Sequence, residues 1–198
     1  MEKEGETAMN VYDFDNTIYS GDSTIDFCVW CMKKYPKCLI AVLLTTPYFI
    51  GYKFKMINLS ILKERFYSFL QYVPNVTEEI NLFWDKNEHK ISRWYLNQKN
   101  NRDVVITASP EFLVQVECNR LNIGCVGSKV DLYTGKLLGE NCKGVEKVKR
   151  FKELYPNVEI DSFYSDSKSD EPLASIAKEA FLVKNGRIKK WCFLEEQQ

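Results

Sequence analysis

The sequence has little histidine, no excess of either charge and no long uninterrupted apolar stretch. Among its 198 residues there is one histidine, His89, and Lys+Arg and Asp+Glu both number 27. A nucleic-acid-binding protein usually carries a basic excess, so we expect no nucleic-acid partner. The apolar stretch at 39–50 is shorter than the roughly 20 residues that a membrane-spanning helix needs.

Cysteine is present without a recognisable disulfide or metal-binding pattern. The seven cysteines are an odd number scattered through apolar stretches, which is typical of reduced thiols in a cytosolic protein. Cys28 and Cys31 have the spacing of a metal or redox pair, but no second pair or histidine ligand accompanies them. We interpret them as half-buried thiols on a helix. Because the polar N-terminus lacks an apolar h-region, we also expect no secretory signal and a cytoplasmic protein.

Apolar and aromatic residues are frequent enough for one folded domain, or one domain with an insertion. Hydrophobic residues make up 45% of the chain and aromatic residues 14%. Short strand-like runs alternate with helical periodicity, which predicts an α/β fold with a parallel sheet wound on both faces. The predicted strands are 9–14, 102–107, 159–165 and 180–184, a hairpin signal lies at Thr134-Gly135, and the predicted helices are 111–121, 145–154 and 171–179.

The segment from residue 22 to residue 99 interrupts this alternation. It has helical patterning almost throughout and follows the first predicted strand directly. Ligands bind at the carboxyl edge of such sheets, so a helical insertion there is well placed to cover the site. We therefore predict a discontinuous core, 1–20 and 100–198, and a small all-helical cap, 21–99.

Two aspartates at the end of the first predicted strand are the first candidates for chemistry. Asp13 and Asp15 are two residues apart, so their side chains share one face of a strand. One interpretation is a simple strand-to-loop junction, because Asp15-Asn16-Thr17 is also a turn sequence.

Other polar residues follow the remaining predicted strands and favour a shared site. Their positions at strand ends, or before a helix, bring them to one edge of a parallel sheet. Carboxylates gathered in this way repel each other unless a cation joins them, and oxygen ligands favour Mg²⁺. A magnesium ion, a lysine and hydroxyls at a helix N-terminus suit a phosphoryl group. These residues are Thr107, Ser109, Lys143, Asp166 and Asp170.

With these residues the chain resembles the haloacid dehalogenase-like hydrolase superfamily, and within it the phosphoserine-phosphatase-like subgroup. The first motif of that superfamily stands as Asp13-Phe14-Asp15-Asn16-Thr17, and the second as Thr107-Ala108-Ser109. The third is Lys143, and the fourth is the acidic pair Asp166 and Asp170. The resemblance implies a Rossmann-like core with a helical cap.

The resemblance also implies a role for each residue. Asp13 is expected to be the nucleophile that forms an aspartyl-phosphate, and Asp15 the general acid and base. Mg²⁺ is expected on Asp13, the backbone carbonyl of Asp15 and Asp166, with Asp170 in or just behind the first shell of ligands. Lys143 is expected to neutralise charge on the aspartate and phosphoryl oxygens, although a surface lysine at a helix start is the alternative.

The hydroxyl of the second motif and the residue that selects the substrate are less defined. Thr107 directly follows the apolar run, whereas Ser109 fits the superfamily pattern better and precedes a helix, so both remain candidates for phosphate binding. Asp22 is the nearest counterpart of the cap glutamate that reads the amine in phosphoserine phosphatases. It also has the position of an ordinary helix cap.

The sequence favours a Mg²⁺-dependent phosphatase that acts on a small phosphorylated metabolite. A phosphomutase and a non-catalytic phosphate-binding module are alternatives. A further alternative is a lipid-phosphate phosphatase that acts at a membrane surface, because the stretches "TASPEF" and "DSTIDF" are similar to bacterial phosphatidylglycerophosphate phosphatases. Residues 38–55 then become a peripheral membrane contact, with seven cations between Phe27 and Arg65 against one anion, Glu64. The competing interpretation of the apolar stretch at 39–50 is a buried cap helix. The seven cations are Lys33, Lys34, Lys37, Lys53, Lys55, Lys63 and Arg65.

Overall fold

A computed structural model describes residues 9–193, and in this range the chain forms a six-stranded sheet. The strand order is β3-β2-β1-β4-β5-β6, and all neighbours are parallel except β5 and β6. The predicted α/β fold with a parallel sheet is confirmed. The strands are β1 Met9–Tyr12, β2 Val104–Pro110, β3 Gly124–Ser128, β4 Ile160–Ser165, β5 Ala177–Lys184 and β6 Arg187–Lys190.

Six of the helices lie between β1 and β2 in the chain, where the sequence predicts an insertion. They are α1 Ser23–Lys34, α2 Pro36–Leu43, α3 Thr46–Lys53, α4 Leu59–Tyr67, α5 Val76–Asn87 and α6 Arg93–Gln98. Short 3₁₀ helices at Ser68–Tyr72 and Glu88–Lys90 join them. After β2 follow α7 Glu111–Leu121, α8 Val145–Leu154, the 3₁₀ helix Lys168–Asp170 and α9 Glu171–Ala174.

Alternating strand residues form two apolar layers, one on each face of the sheet. Tyr12 and Val105 pack in one cluster with residues of α7 and the inserted helices. Their neighbours Val11 and Val104 pack in the other cluster, which includes Phe151 of α8 and residues of α9. Because successive strand side chains point to opposite faces, this alternation places helices on both sides of the sheet.

The inserted helices share the first of these layers with the core of the protein. Trp84 of α5 is fully buried, and its indole N–H donates to the carbonyl of Leu113 in α7 at 2.8 Å. This contact fixes α5 against α7, a helix of the sheet-containing part of the protein. The division into a core, 1–20 and 100–198, and a cap, 21–99, stays a prediction.

The C-terminal part of the sheet differs from the prediction. The helix predicted at 171–179 ends at Ala174, because Ala177 already pairs with Ile160 and begins β5. Strand β6 was not predicted, although Asn185-Gly186 is a strong hairpin signal. Both residues have positive φ, as such a two-residue turn requires. The hairpin signal at Thr134-Gly135 corresponds to a single antiparallel bridge between Val130 and Leu137.

No helix within residues 9–193 is both long enough and apolar enough to cross a membrane. The apolar stretch at 39–50 is divided between α2 and α3, which are eight residues each.

Candidate active site

A cavity of about 430 Å³ opens where β1, β2 and β4 end, between the sheet and the inserted helices. Carboxyl ends of parallel strands meet at one edge, which explains why residues distant in sequence come together here. All of the candidates from the sequence line this cavity. They are Asp13, Asp15, Asp22, Thr107, Ser109, Lys143, Asp166 and Asp170.

Asp13 lies at the floor of the cavity, one residue after β1. Its backbone N–H donates to the carbonyl of Tyr164 in β4 at 2.8 Å, so the strand pairing fixes its position. The side chain is almost fully buried. Burial raises the pKa of Asp13 to about 7, the nearby charge of Asp170 adds to the rise, and Lys147 partly opposes it. The site therefore holds a carboxylate whose charge is poorly solvated.

Lys147, which was not predicted, is the lysine that contacts this carboxylate. Its ammonium donates to Asp13 Oδ1 at 2.7 Å and to Asp170 Oδ2 at 2.7 Å, and the side chain is buried. Ser165 donates to the same oxygen of Asp170 at 2.8 Å. Burial lowers the pKa of Lys147, but the two carboxylates outweigh that effect and raise it above its ordinary value. Lys147 is thus a charged bridge between the two aspartates.

The pattern of α8 contains a signal for Lys147. Lys147 and Phe151 are four residues apart, so they share one face of the helix, and both are buried. A lysine on the apolar face of an amphipathic helix needs a buried counter-charge. The position of Lys147 on the same helix face as Phe151 is therefore the sequence signal for a buried, ion-paired lysine.

Lys143 lies one turn earlier and has a different environment. It lines the cavity, but its side chain is exposed, and it precedes the start of α8 at Val145. The structure thus places two lysines at the site, Lys147 against Asp13 and Lys143 on the cavity wall. The predicted contact of a lysine with the aspartate is thus made by Lys147 and not by Lys143. The predicted role of Lys143 toward the phosphoryl oxygens stays a prediction.

Asp15 is held by donors on two elements. The backbone N–H of Ser23, at the start of α1, donates to Asp15 Oδ1 at 2.6 Å, and the hydroxyl of Ser109 donates to Asp15 Oδ2. Burial raises the pKa of Asp15 to about 6, the charge of Asp22 adds to the rise, and the donors oppose it. Asp15 can therefore exchange a proton near neutral pH, which an acid–base group requires.

The two hydroxyls of the second motif have different partners. The hydroxyl of Thr24 donates to Ser109 Oγ at 3.0 Å, and the hydroxyl of Ser109 in turn donates a hydrogen bond to Asp15 Oδ2. Thr107 Oγ1 accepts from the backbone N–H of Ser109 at 3.1 Å. Both hydroxyls line the cavity, and Ser109 is the one in contact with Asp15.

Asp22 caps α1 and also reaches the cavity. Its carboxylate accepts from the backbone N–H of Ile25 at 2.9 Å, which is the usual N-cap contact. The capping geometry matches the structural interpretation of the sequence, and the predicted substrate role stays a prediction.

The acidic residues provide oxygen donors for a metal ion, but not as one group of side chains. Within residues 9–193 no three acidic, histidine or cysteine side chains are grouped so that they could hold a metal ion. Lys147 lies between Asp13 and Asp170, and the carboxylate of Asp15 is turned toward Ser109. The predicted set consists of the carboxylates of Asp13 and Asp166 and the backbone carbonyl of Asp15, with Asp170 in or just behind the first shell of ligands. The excess of buried carboxylate over ammonium at this edge fits a divalent cation.

Lys63 on α4 is a further cation of the cavity that the sequence analysis counted only as part of a basic surface. Its ammonium donates to the carbonyl of Ala108 at 2.7 Å and to Asn141 Oδ1 at 2.7 Å. Burial lowers the pKa of Lys63 to about 8. The contact with Ala108 ties the inserted helices to the end of β2, which carries the second motif.

The sequence profile of the haloacid dehalogenase-like hydrolase family matches residues 11–175. The chain therefore belongs to this family, as the resemblance of its motifs implied. Protein CicA of Caulobacter vibrioides is 26% identical over 192 residues, which cover 88% of this chain and 85% of CicA.

Solved structures show the same fold at lower sequence identity. A protein of unknown function from Bordetella pertussis Tohama I superposes with a TM-score of 0.70 at 16% identity, covering 88% of this chain and 89% of that one. A phosphoserine phosphatase solved as a phospho-aspartyl intermediate analogue superposes with a TM-score of 0.57 at 13% identity, covering 88% and 85%. The predicted phosphoserine-phosphatase-like architecture is confirmed.

Proposed function

We propose that the protein is a phosphatase that hydrolyses phosphomonoesters through an aspartyl-phosphate on Asp13. The observation that carries this proposal is that Asp13 and Asp15 line the same cavity with different hydrogen-bond partners. Asp13 contacts a buried ammonium, and Asp15 contacts hydroxyl and amide donors. Two carboxylates with such different partners can divide the work of nucleophile and acid.

In the first step an oxygen of Asp13 attacks phosphorus, and the bond from phosphorus to the ester oxygen breaks. Lys147 holds Oδ1 of Asp13, which leaves Oδ2 for the attack. Asp15 gives its proton to the departing oxygen, so an alcohol leaves and Asp15 becomes a carboxylate. Its pKa of about 6 places that proton within reach near neutral pH.

In the second step Asp15 takes a proton from water, and the water oxygen attacks phosphorus. The bond from phosphorus to Asp13 breaks, which releases phosphate and restores both carboxylates to their starting states. Ser109 and the backbone N–H of Ser23 hold Asp15 in place in both steps. Lys143, on the cavity wall, is our candidate for neutralising phosphoryl oxygens.

Mg²⁺ is the proposed cofactor, held by Asp13, the backbone carbonyl of Asp15 and Asp166, with Asp170 behind. When bound, it reduces the repulsion between an anionic phosphate and the buried carboxylates. Burial raises the pKa of Asp166 as well as that of Asp13, which indicates that these charges lack sufficient compensation from the protein.

The family of this chain and one solved structure with the same fold support the proposed chemistry. Family membership supports a hydrolase, and the phosphoserine phosphatase with a phospho-aspartyl intermediate analogue has the same fold. Because of this similarity, we propose a small phosphorylated metabolite as a substrate. We also expect a cytoplasmic location.

Metal removal is the direct test of the proposal. EDTA should reduce phosphate release from a soluble phosphomonoester such as p-nitrophenyl phosphate to background, and excess Mg²⁺ should restore it, because the carboxylates repel the substrate without a cation. Phosphate release would be measured under both conditions, with folding followed by circular dichroism. Full activity in EDTA after dialysis would contradict the proposed magnesium dependence.

Ser109 and Thr107 can be separated by the pH dependence of turnover. A donor to a carboxylate favours the ionised form, so its removal raises the pKa of the carboxylate. Ser109→Ala should therefore move the Asp15-dependent limb of the pH profile upward by about one unit. Thr107→Val, which leaves both donors of Asp15, should leave that limb in place. An equal shift in both variants would show that Ser109 has no special contact with Asp15.

A further inference from the structure

Helix α2 exposes most of its apolar side chains. The side chains that it directs inward are Cys38 and Ala41, followed by Thr45 just after the helix, and this spacing defines one narrow line along a helix. Val42 is half-buried against the core, and the remaining apolar side chains are exposed, so this stretch is not a fully buried cap helix. The exposed large apolar residues of α2 and its C-cap are Leu39, Ile40, Leu43 and Leu44.

The apolar surface continues over α3 and the turn that follows it. Helix α3 has no buried residue, and Phe49, Ile50 and Tyr52 are exposed. In the turn, Phe54 is 70% exposed and Met56 is 79% exposed. We call the exposed residues of 36–56 the α2–α3 surface. Contiguous apolar surfaces of this kind are rare in proteins unless something docks there.

The charge of this region defines what docks there. No acidic residue occurs between Phe27 and Lys63. Lys37 precedes the apolar side chains, Lys53 and Lys55 lie among them, and none of these three has an ion pair within residues 9–193. Apolar side chains flanked by lysines match an anionic lipid surface, which accepts the former and attracts the latter. A symmetric second copy would instead bring like charges together.

The α2–α3 surface also reaches the mouth of the catalytic cavity. Phe49 belongs to both, since it lines the cavity and is half exposed. On the side of the inserted helices most of the cavity wall is apolar, with Asp22, Thr24 and Lys63 as the polar exceptions. The sheet edge opposite carries most of the aspartates and lysines. A molecule with a phosphate at one end and an apolar portion at the other fits this division. The other apolar residues of the wall are Ile25, Leu59, Leu62 and Phe66.

We propose that the α2–α3 surface docks the protein on an anionic lipid bilayer, and that the cavity takes a phosphomonoester carried by a lipid. The substrate part of this inference rests on the proposed phosphatase function, whereas the docking part does not. Docking is peripheral, with the apolar side chains in the headgroup region and the lysines at the anionic surface.

The first test measures binding to vesicles of phosphatidylcholine with about 30 mol% phosphatidylglycerol, and to phosphatidylcholine alone. The wild-type protein should sediment with the anionic vesicles at low salt and be released at high salt. Leu44→Glu should weaken binding at least about tenfold, because it places a charge on the docking face. Leu154→Glu is the matched control, since Leu154 is 58% exposed but ends α8 at the opposite edge of the sheet, and it should bind as the wild type does.

A second pair of variants tests the charge. Each lysine near an anionic surface strengthens binding by about fivefold, so the reversal of Lys53 and Lys55 to glutamate should weaken it by more than about twentyfold. Reversal of the exposed Lys152 and Lys189, which lie on α8 and β6, should have little effect. Equal losses for the two pairs would overturn the assignment of docking to the α2–α3 surface.

Activity assays then separate the docking from the chemistry. Leu44→Glu should lower phosphate release from phosphatidic acid in the vesicles about tenfold, and leave hydrolysis of p-nitrophenyl phosphate unchanged. Absence of wild-type binding to anionic vesicles at low salt would overturn the inference, and so would a wild-type dimer that Leu44→Glu dissociates. Vesicle binding by a protein that hydrolyses no phosphomonoester would overturn the proposed function and leave the docking supported.

Discussion

Asp13→Asn should reduce phosphate release by at least about 10⁴-fold while the protein remains folded, because an amide cannot replace the attacking carboxylate. Asparagine keeps the size of the side chain, and its amide oxygen can still accept from Lys147. The loss should appear in the turnover number and in the amount of phosphorylated protein after rapid quenching. Turnover within tenfold of the wild type would show that Asp13 is not the nucleophile.

The stability of the same variant provides an independent check of the site. Burial raises the pKa of Asp13 from 3.8 to about 7, so the folded protein retains a proton that the unfolded chain releases. The contribution of Asp13 to the free energy of unfolding is therefore fully present below about pH 4 and is lost as the pH rises through about 7. Asparagine has no charge to lose. In metal-free buffer at pH 8, Asp13→Asn should melt at or above the wild-type temperature, and this advantage should vanish near pH 4.

A lower melting temperature of Asp13→Asn at pH 8 would contradict this account. It would indicate that the ion pair with Lys147 contributes more stability than the burial of the carboxylate costs. Asp15→Asn is the matched variant, because Asp15 is half-buried beside Asp13 but has no lysine partner within residues 9–193.

Lys147→Met should have the largest effect on stability. The change leaves Asp13 and Asp170 buried beside each other without the ammonium that now lies 2.7 Å from each. Removal of one partner from a buried ion pair costs about 3–5 kcal/mol in the free energy of unfolding. The cost should be greatest at pH 8, where Asp13 is ionised, and smaller at pH 5, below its pKa of about 7. Urea unfolding in metal-free buffer at the two pH values measures it.

Lys143→Met is the matched control for this prediction. Lys143 is exposed, so its replacement should change the free energy of unfolding by less than about 0.5 kcal/mol. Turnover should fall in both variants if Lys143 neutralises phosphoryl charge as proposed. The outcome that contradicts the assignment is a destabilised Lys143→Met protein beside a Lys147→Met protein of wild-type stability.

Much of the candidate site could be predicted from the sequence because it depends on local patterns. Asp13 and Asp166 each follow a strand, and Thr107 follows the apolar run at the start of β2. The alternation of strands with helices places such positions at one edge of a parallel sheet. The insertion after the first strand and the fold class follow from the same local periodicity. The cavity then brings all of these residues together.

The tertiary structure decided the features that depend on which face of an element is buried. Helical periodicity assigns Lys147 to a face, but only the packing of α8 against the sheet places its ammonium between Asp13 and Asp170. The apolar stretch at 39–50 was compatible with burial, and Leu44 is exposed because no element within residues 9–193 covers it. Burial and charge pairing are long-range properties, because they depend on neighbours that are distant in the chain and whose positions a local pattern does not specify.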